Sequence, residues 1–425
     1  METIFAVASG PPPAAIAVMR ISGSQALEAA AALCGSLPPP RTAGLRSLRH
    51  PGSGDLLDRA LVLCFPGPWS ATGEDCAELH VHGGRAVVAA VAQTLSDMPG
   101  LRAAEPGEFT RRALLNGRID LAQAEGLGDL LMAETETQRR SAMAAVEGAV
   151  SRAVSRWSDQ LLDASALAEA ALDFSDEDDV HPEADAGIRA VVVTLSAEMR
   201  TVLAAPPVER LRDGLRIVLG GPPNSGKSTL LNRLCERDAA IVSNIAGTTR
   251  DRIDVPVNRR GIAYVLTDTA GLAAQTSDAI EEIGMARALE ALAGADIVLW
   301  LGDDAPVRHD ALWLYPRCDV RALFNDPARC CVSAMTGEGL EALWGAIEAR
   351  ASALLPRADQ LALNYRQRAL CNECLAEAEQ SLVVTDLLLV AEHLRRARAA
   401  LDQVTGSTDT EAMLDALFGR FCIGK

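Results

Sequence analysis

The stretch Leu215-Arg-Ile-Val-Leu-Gly-Gly221-Pro-Pro-Asn-Ser-Gly226-Lys227-Ser228-Thr229 decides the fold of this chain. It matches the phosphate-binding pattern GxxxxGK[ST], with a hydrophobic strand before it and the helical segment LLNRLC after it. Glycines let backbone amides curl around an anion, Lys227 brings an ammonium to the terminal phosphates, and the Ser228 hydroxyl suits Mg²⁺. The stretch predicts a P-loop α/β domain whose phosphate-binding residues also include Asn224, Ser225, Gly226 and Thr229.

Two further segments favour a Ras-like GTPase domain over a kinase or a metabolic P-loop enzyme. The segment Asp268-Thr269-Ala270-Gly271 ends the hydrophobic strand IAYVLT and matches the DxxG switch that senses a γ-phosphate. The second segment, Ala246-Gly247-Thr248-Thr249-Arg250-Asp251, lies between the phosphate-binding loop and the DxxG segment. A threonine in it can complete a Mg²⁺ shell. Their order and spacing predict a Ras-like domain over residues 211–355.

The segment expected to read the base departs from the GTPase pattern N/T-K-x-D. After a predicted strand Val320 to Phe324, the chain has Asn325-Asp326-Pro327-Ala328. Only eight positions (333 − 325) separate Asn325 from Ser333-Ala334, the loop expected to back the base. A missing Asp should cost discrimination between bases, so guanine specificity stays open, with Asn325, Ser333 and Ala334 as candidate base-lining residues.

The charge of the chain limits how it can meet nucleic acid. Its 425 residues carry 40 Lys+Arg against 57 Asp+Glu, a net charge of −17, and only Lys227 and Lys425 are lysines, which leaves 38 arginines (40 − 2). An acidic chain lacks the broad basic surface that displaces counterions from a polyanion, so any RNA contact is local or supplied by a partner. The composition strongly favours arginine over lysine. A position that nevertheless has lysine therefore indicates a site that needs a compact ammonium.

Composition and periodicity predict a multidomain fold, α/β plus all-α, in a cytoplasmic protein. With 49% hydrophobic residues the chain can bury a sizeable core. Ten scattered cysteines predict reduced thiols, and the lack of an early signal or a long apolar run predicts no membrane span. Strand-like runs predict a small α/β domain over residues 1–116, and helical periodicity predicts a discontinuous helical domain over 117–210 and 356–425. The acidic run Asp173 to Val180 favours a solvated turn, with a cation site as the alternative.

A family resemblance becomes specific when further segments are added. SGKST, IAGTTRD and DTAGL followed by EEIG are similar to the TrmE and Era class of bacterial GTPases. MRISG, FPGPWSATGEDCAELHVHGG, PGEFTRRALLNGRIDLAQAEGL and FCIGK resemble the MnmE (TrmE) family of tRNA-modification GTPases, over nearly the whole chain. The alternative is an Era-like RNA or ribosome-assembly switch without modification chemistry; the last group of segments argues against it.

The resemblance implies a homodimer with no membrane contact that hydrolyses GTP to GDP. With the FAD protein MnmG it would add an aminomethyl or carboxymethylaminomethyl group at C5 of the wobble uridine of certain tRNAs. A 5-formyl- or 5,10-methylene-tetrahydrofolate would supply the carbon. The small α/β domain would then bind the folate and form the dimer.

The resemblance also implies roles in hydrolysis. Leu272 stands where a Ras-type enzyme has its water-positioning Gln, and Glu281 matches the family residue that takes over, with Glu282 as its close alternative. The K⁺ that replaces an arginine finger would be held by Asn224, Ser243, Ile245 and Thr248, and Mg²⁺ by Ser228 and Thr249. Asn244, Ala246 and Gly247 complete the segment around the nucleotide.

Residues outside the nucleotide domain match the folate site of the family. These are Arg20, Glu78, Arg118 and Lys425; arginines suit the glutamyl carboxylate of a folate, and Glu78 can accept from the amino edge of a pterin. Cys422 is either a nucleophile towards uridine C6 or a small buried thiol. Glu78, His80 and His82 alternate along a strand, so a metal site is the alternative to the folate pocket there. Cys371 and Cys374 form a CxxC pair for which packing is the better interpretation, because two thiols cannot close a zinc site.

Overall fold

The computed structural model describes residues 2–173, 180–237, 254–269, 281–306, 308–321, 326–357 and 360–406, with 414, 417–419, 421 and 424; for 180–184, 236–237 and 281–286 only the backbone is described. The strands are β1 (Thr3–Val7), β2 (Ile16–Ser22), β3 (Gly44–Arg49), β4 (Leu56–Phe65), β5 (Cys76–His82), β6 (Leu101–Ala103), β7 (Leu215–Gly220), β8 (Asp254–Arg259), β9 (Ile262–Asp268), β10 (Ile297–Trp300), β11 (Leu312–Pro316) and β12 (Cys330–Val332). The helices are α1 (Ala26–Cys34), α2 (Arg85–Ser96), α3 (Glu108–Leu115), α4 (Leu121–Met132), α5 (Glu136–Val146), α6 (Ala149–Asp173), α7 (Val180–Leu203), α8 (Glu209–Arg212), α9 (Lys227–Arg237), α10 (Glu281–Gly294), α11 (Leu340–Leu354), α12 (Tyr365–Gln380) and α13 (Leu387–Thr405).

The chain divides into two compact units, each built from separate stretches of sequence. The first consists of Met1–Gly128, Ala145–Ser155 and Asp402–Lys425, and the second of Asp129–Ala144 and Arg156–Leu401. The boundaries of the three predicted domains, 1–116, 117–210 with 356–425, and 211–355, stay predictions. The acidic run lies mostly in 174–179, outside the described residues, between the end of α6 and the start of α7.

The first unit contains a six-stranded sheet in the order β3-β4-β5-β2-β1-β6. Its neighbouring strands are antiparallel except β1 and β6, which are parallel. Side chains alternate along each strand, so that Met19, Leu79 and Val81 are buried in one core with Leu33 of α1 and Val91 of α2. The two helices therefore cover one face of the sheet. The strand-like runs that the sequence showed in this region correspond to β2, β4 and β5.

The second unit contains a six-stranded sheet in the order β12-β11-β10-β7-β9-β8. All its neighbouring strands are parallel except β8 and β9. In the central strand β7, Ile217 and Leu219 are fully buried on one face and Val218 is buried on the other, as expected of a parallel strand covered on both faces. The carboxyl ends of β7, β9 and β11 point to the same edge, so the loops that follow them meet there.

The helical part of the second unit is held together by contacts of α7 with α6 and with α12. The Trp157 indole on α6 donates to Glu198 of α7 at 3.3 Å, and the Cys374 thiol of α12 lies 3.9 Å from the sulfur of Met199 on α7. Cys374 and Cys371 are both fully buried and burial raises the pKa of the Cys371 thiol to about 12, so the packing interpretation of the CxxC pair is confirmed. In the described residues, none of the helices has the length and apolarity needed to cross a bilayer.

One buried amide fastens α5 to the segment that leads into β7. The Gln138 Nε2 group donates to the carbonyls of Leu211 and Arg212 at 3.0 and 2.9 Å. Its Oε1 accepts from the backbone N–H groups of Glu134 and Thr135, each at 2.8 Å. Because every donor and acceptor of this buried side chain is used, Gln138 fixes where the central strand of the second sheet begins.

The aromatic pair Tyr264 and Trp344 gives a test of the packing in this sheet. The ring centroids lie 5.5 Å apart, and the buried Tyr264 hydroxyl has no hydrogen-bond partner among the described residues. Tyr264→Ala should lower the free energy of unfolding by about 3–5 kcal/mol, because it leaves a cavity. Tyr264→Phe should leave stability unchanged or raise it, because it removes an unsatisfied hydroxyl. Urea denaturation followed by tryptophan fluorescence checks both; a Phe variant as unstable as the Ala variant would contradict the packing.

Candidate functional site

The loop from Gly221 to Gly226 joins the central strand β7 to α9 and forms a concave backbone turn. Gly221, Asn224 and Gly226 have φ angles of 141°, 59° and 100°. Glycine adopts such angles without a steric penalty, and Asn is the residue that tolerates the left-handed region next best. The sequence therefore supplies the backbone conformation that turns successive N–H groups toward one point, as anion binding requires.

Lys227, the first residue of α9, lies at the mouth of this loop. Its side chain is buried, and Nζ donates to the carbonyl oxygens of Gly221 and Pro222, both at 2.9 Å. Burial lowers the pKa of the Lys227 ammonium, and the nearby Asp268 carboxylate opposes that shift. The compact ammonium is thus held by two backbone carbonyls of the loop, and phosphate oxygens can replace these carbonyls as its hydrogen-bond acceptors.

Ser228, in the first turn of α9, and the switch residue Asp268, the last residue of β9, come together at this edge of the sheet. The Ser228 hydroxyl donates to Asp268 Oδ2, and the neighbouring Thr269 hydroxyl donates to the Leu219 carbonyl at 2.8 Å. Asp268 ends β9, the strand beside β7, and this adjacency brings the DxxG switch to the phosphate loop. Hydroxyl and carboxylate oxygens are the ligands that Mg²⁺ prefers, so this pair fits the ion.

Beside the phosphate loop is a cavity of about 280 Å³, close to the lower end of the size range of small-ligand sites. It reaches from Ser225 and Gly226 to Ser333 and Ala334 and is also lined by Arg317 and Asp319. Ser333 is fully buried and accepts from the N–H of Thr336 at 3.2 Å, which fixes the loop that the sequence predicted to back the base.

The strand predicted at Val320 to Phe324 is wrong at its first two residues, Val320 and Arg321, and 322–324 lie outside the described residues. The strand in this part of the sheet is β11, Leu312–Pro316, whereas Val320 lies in a turn and is 76% exposed. The strand at this edge is followed by Arg317-Cys318-Asp319, which makes this loop the candidate for reading the base, and Asn325 lies outside the described residues. Sequence reasoning missed the loop because Pro and Arg replace the Asn and Lys of the usual motif.

Arg317 joins this loop to the phosphate loop. Its backbone is left-handed, with φ of 60°, and its Nη2 donates to the Asn224 carbonyl at 2.7 Å. Asp319 is exposed, and no described group pairs with its carboxylate. The short interval before Ser333 was the available signal: Asp319 precedes it by 14 positions (333 − 319), against eight for Asn325.

In the first unit, two of the predicted folate residues face each other across adjacent strands. Arg20 on β2 pairs with Glu78 on β5, and its Nη2 lies 2.9 Å from Glu78 Oε1. His80 Nε2 lies 3.3 Å from the other oxygen of the same carboxylate. Arg118 makes no described contact with this pair; its guanidinium lies over the Trp69 ring, 5.4 Å from the centroid.

His82 takes a different partner from the rest of its strand. Its Nδ1 lies 2.8 Å from Asp58 Oδ1, and its backbone N–H donates to Asp58 Oδ2 at 2.7 Å. Within the described ranges, no group of three or more His, Cys, Asp or Glu side chains is arranged to hold a metal ion. The metal alternative for Glu78, His80 and His82 therefore has no support.

The tail of the chain returns to the first sheet. Gly424 has φ of 98°, and a Cβ atom on it would lie 2.3 Å from the carbonyl oxygen of Val7, the last residue of β1. Glu281 begins α10, but its side chain lies outside the described residues. The other predicted site residues outside the described part of the chain are Ser243, Asn244, Ile245, Ala246, Gly247, Thr248, Thr249, Ala270, Gly271, Cys422 and Lys425.

Comparisons with known proteins cover the whole chain. The family described as "MnmE helical domain" matches residues 121–422, and "GTP-binding protein TrmE N-terminus" matches residues 3–118. The tRNA modification GTPase MnmE of Erythrobacter litoralis is 55% identical, with 100% of both chains covered. That of Rhizorhabdus wittichii is 54% identical over 100% of this chain and 97% of its own. 

Among solved structures, the G domain of the FeoB iron transporter of T. maritima is 23% identical, covering 32% of this chain and 98% of that one at a TM-score of 0.25. The two family matches and the full-length identities show that the chain belongs to the MnmE (TrmE) family of tRNA-modification GTPases.

Proposed function

We propose that this GTPase uses a guanine-selective nucleotide cycle to drive modification of the wobble uridine at C5 in certain tRNAs. The FAD protein MnmG and a tetrahydrofolate one-carbon unit would take part, and the product would carry an aminomethyl or carboxymethylaminomethyl group. The observation that carries the proposal is the meeting of three loops at one sheet edge, bearing Lys227, Asp268 and Asp319.

Guanine would be read by Asp319 and covered by Arg317. An exposed carboxylate at the cavity can accept from both N1–H and the 2-amino group of guanine, a pairing that adenine does not offer. Arg317 supports this assignment because its hydrogen bond to the Asn224 carbonyl holds the base-reading loop against the phosphate loop. The doubt that the sequence raised over guanine specificity rested on the missing Lys and Asp after Asn325, whereas Arg317 and Asp319 directly follow β11.

Hydrolysis would rest on the groups around the phosphates. Lys227 would bind the terminal phosphates, and Ser228 with Asp268 would hold Mg²⁺ directly or through water, together with Thr249. Bound Mg²⁺ and K⁺ neutralise negative charge on the phosphate oxygens. Of the four proposed K⁺ ligands, Asn224 is the one that lies within the described residues. Glu281 would orient the attacking water.

The first unit would hold the folate and form a homodimer. Arg20 and Glu78 are paired and only partly exposed, so an arginine for a carboxylate and an acceptor for a pterin edge lie side by side. The sheet face turned away from α1 and α2 carries the exposed apolar side chains Ile16, Leu45 and Leu61. Apolar groups gathered on a sheet face support an interface with a second copy.

Asp319→Asn should weaken GDP binding by about 10- to 150-fold, the range for losing hydrogen bonds to a charged group, and should improve binding of the xanthine nucleotide. An amide can donate to the 2-oxo group of xanthine, where a carboxylate is repelled. Calorimetric titration with GDP, XDP and ADP measures the change. Asp326→Asn, at the aspartate next to the sequence candidate Asn325, is the matched control; loss of GDP binding there and not at Asp319 would contradict the assignment.

GTP turnover should be faster in K⁺ than in Na⁺ by about tenfold or more, a modest share of the roughly 10³- to 10⁵-fold that a transition-state cation supplies. Asn224→Ala should abolish most of this difference, whereas Asn372→Ala, at an exposed helical asparagine, should keep it. Phosphate release at equal ionic strength is the measurement. Equal rates in the two salts would sink the proposal of a K⁺ site.

Gly424→Ala should weaken binding of 5-formyl-tetrahydrofolate by about tenfold or more, which corresponds to 1.4 kcal/mol, because its Cβ would displace the tail that ends in Lys425. Lys425→Ala should show a similar loss. Gly35→Ala, also at a positive φ but with open space around its Cβ, separates the clash from backbone strain. Equilibrium dialysis measures the binding. Unchanged 5-formyl-tetrahydrofolate binding in both tail variants would contradict a role of the tail in the folate site.

A further inference from the structure

We propose that Trp69, with Arg41 and Arg118 beside it, forms a platform on which an unpaired base of the tRNA substrate stacks. The inference rests on the proposed function, because it locates a contact for the RNA on which that function acts. It concerns a part of the first unit that neither the nucleotide site nor the Arg20–Glu78 pair uses.

Trp69 presents a large aromatic surface to solvent. It lies in the loop between β4 and β5, and 69% of its surface is exposed, whereas Trp157 and Trp344 are almost fully buried. The guanidinium of Arg118 lies over the ring at 5.4 Å from its centroid. Since a large part of the indole stays accessible, a flat ring can pack against it, and aromatic and guanidinium planes are the surfaces on which unstacked RNA bases are bound.

The loop that carries Trp69 is fixed rather than loosely attached. Thr72 bonds to the Ser22 hydroxyl at 2.7 Å, and its carbonyl accepts from the Asn116 side chain at 2.7 Å. The loop acids are used within the fold: Glu74 pairs with buried Arg112 at 2.9 Å, and Asp75 accepts from the Gly67 N–H at 2.8 Å. A pre-positioned ring loses little conformational entropy when it binds, which favours recognition.

The charges around the ring match a polyanion. Arg41 donates to the Trp69 carbonyl, and its guanidinium lies 5.8 Å from the centroid of the Phe65 ring. In the part of the chain that the structure describes, no carboxylate forms an ion pair with Arg41 or Arg118. A chain of net charge −17 thus keeps a local positive site next to an exposed aromatic ring. Phosphates flanking a stacked base would meet these arginines.

A folate pterin is the rival occupant, because Arg118 is also a candidate folate ligand and a pterin is equally flat. Two arginines that form no ion pair with a described carboxylate, one over the ring and one at the Trp69 carbonyl, favour RNA, which carries a phosphate on each nucleotide. The two occupants make different predictions for the same variants, so one set of measurements separates them.

The test measures binding of a labelled anticodon stem-loop RNA to the full chain by fluorescence anisotropy. Trp69→Ala and Trp69→Leu should weaken binding about 5- to 150-fold, the range for one lost base–aromatic stack, and Trp69→Phe should retain most of it. The Leu variant keeps apolar area without a π face. Tyr365→Ala, at an aromatic residue exposed to a similar extent, should bind as the wild type does.

Salt dependence separates stacking from charge. Arg41→Ala should lower the slope of log K against log salt by about 0.7, the value for one phosphate contact on a single strand, and Trp69→Leu should leave it unchanged. Arg85→Ala, at an exposed arginine on α2 outside the platform, should affect neither. Thermal unfolding of each variant shows that the fold is kept.

Three results would overturn the platform: RNA binding unchanged in Trp69→Ala and Trp69→Leu, loss of 5-formyl-tetrahydrofolate binding in these variants with RNA binding intact, or no RNA binding by the wild-type chain. GTP hydrolysis by the wild-type chain tests the proposed function separately. A chain without guanine-selective turnover that still loses RNA with Trp69→Leu would refute the proposed function and keep the platform.

Discussion

The nucleotide site depends on the burial of one strand, β7, between β10 and β9 in a parallel sheet. β7 is paired on both sides and therefore has no exposed edge, and its carboxyl end continues into a loop at the edge of the sheet. The loops after β9 and β11 open at that edge as well. Ser228, Asp268 and Asp319 are far apart in sequence and reach one place for this reason. The amide of Gln138 fixes the start of the same strand from the other end.

The parts of the site that are local in sequence were predictable, and the parts that depend on strand pairing were not. The phosphate loop and the DxxG switch each carry their own turn residues and follow an obvious hydrophobic run. The apolar residues from Val320 onward suggested a strand, whereas Val320 is an exposed turn residue after β11. Arg20 and Glu78 lie 58 positions apart, and only the register of β2 against β5 puts them opposite each other.

The use of lysine and arginine follows the geometry of each position. Lys227 sits among carbonyls of a tight loop, where a compact ammonium fits and a planar guanidinium would not. Arg317 spans a longer distance, because its Nη2 reaches from the loop after β11 to the Asn224 carbonyl. In the proposed base-reading loop, Arg317 would supply the cation that the usual motif takes from lysine. This substitution is in keeping with the arginine bias of the composition.

The return of Gly424 to the end of β1 bears on how the protein is made. The first unit is assembled from Met1–Gly128, a short middle stretch and Asp402–Lys425, whereas the second lies wholly between residues 129 and 401. Domains of a growing chain fold as they emerge from the ribosome. Here the second unit has all its residues before the first is complete. The earliest strands must wait, without the tail packed against Val7, until residues 402–425 have been translated.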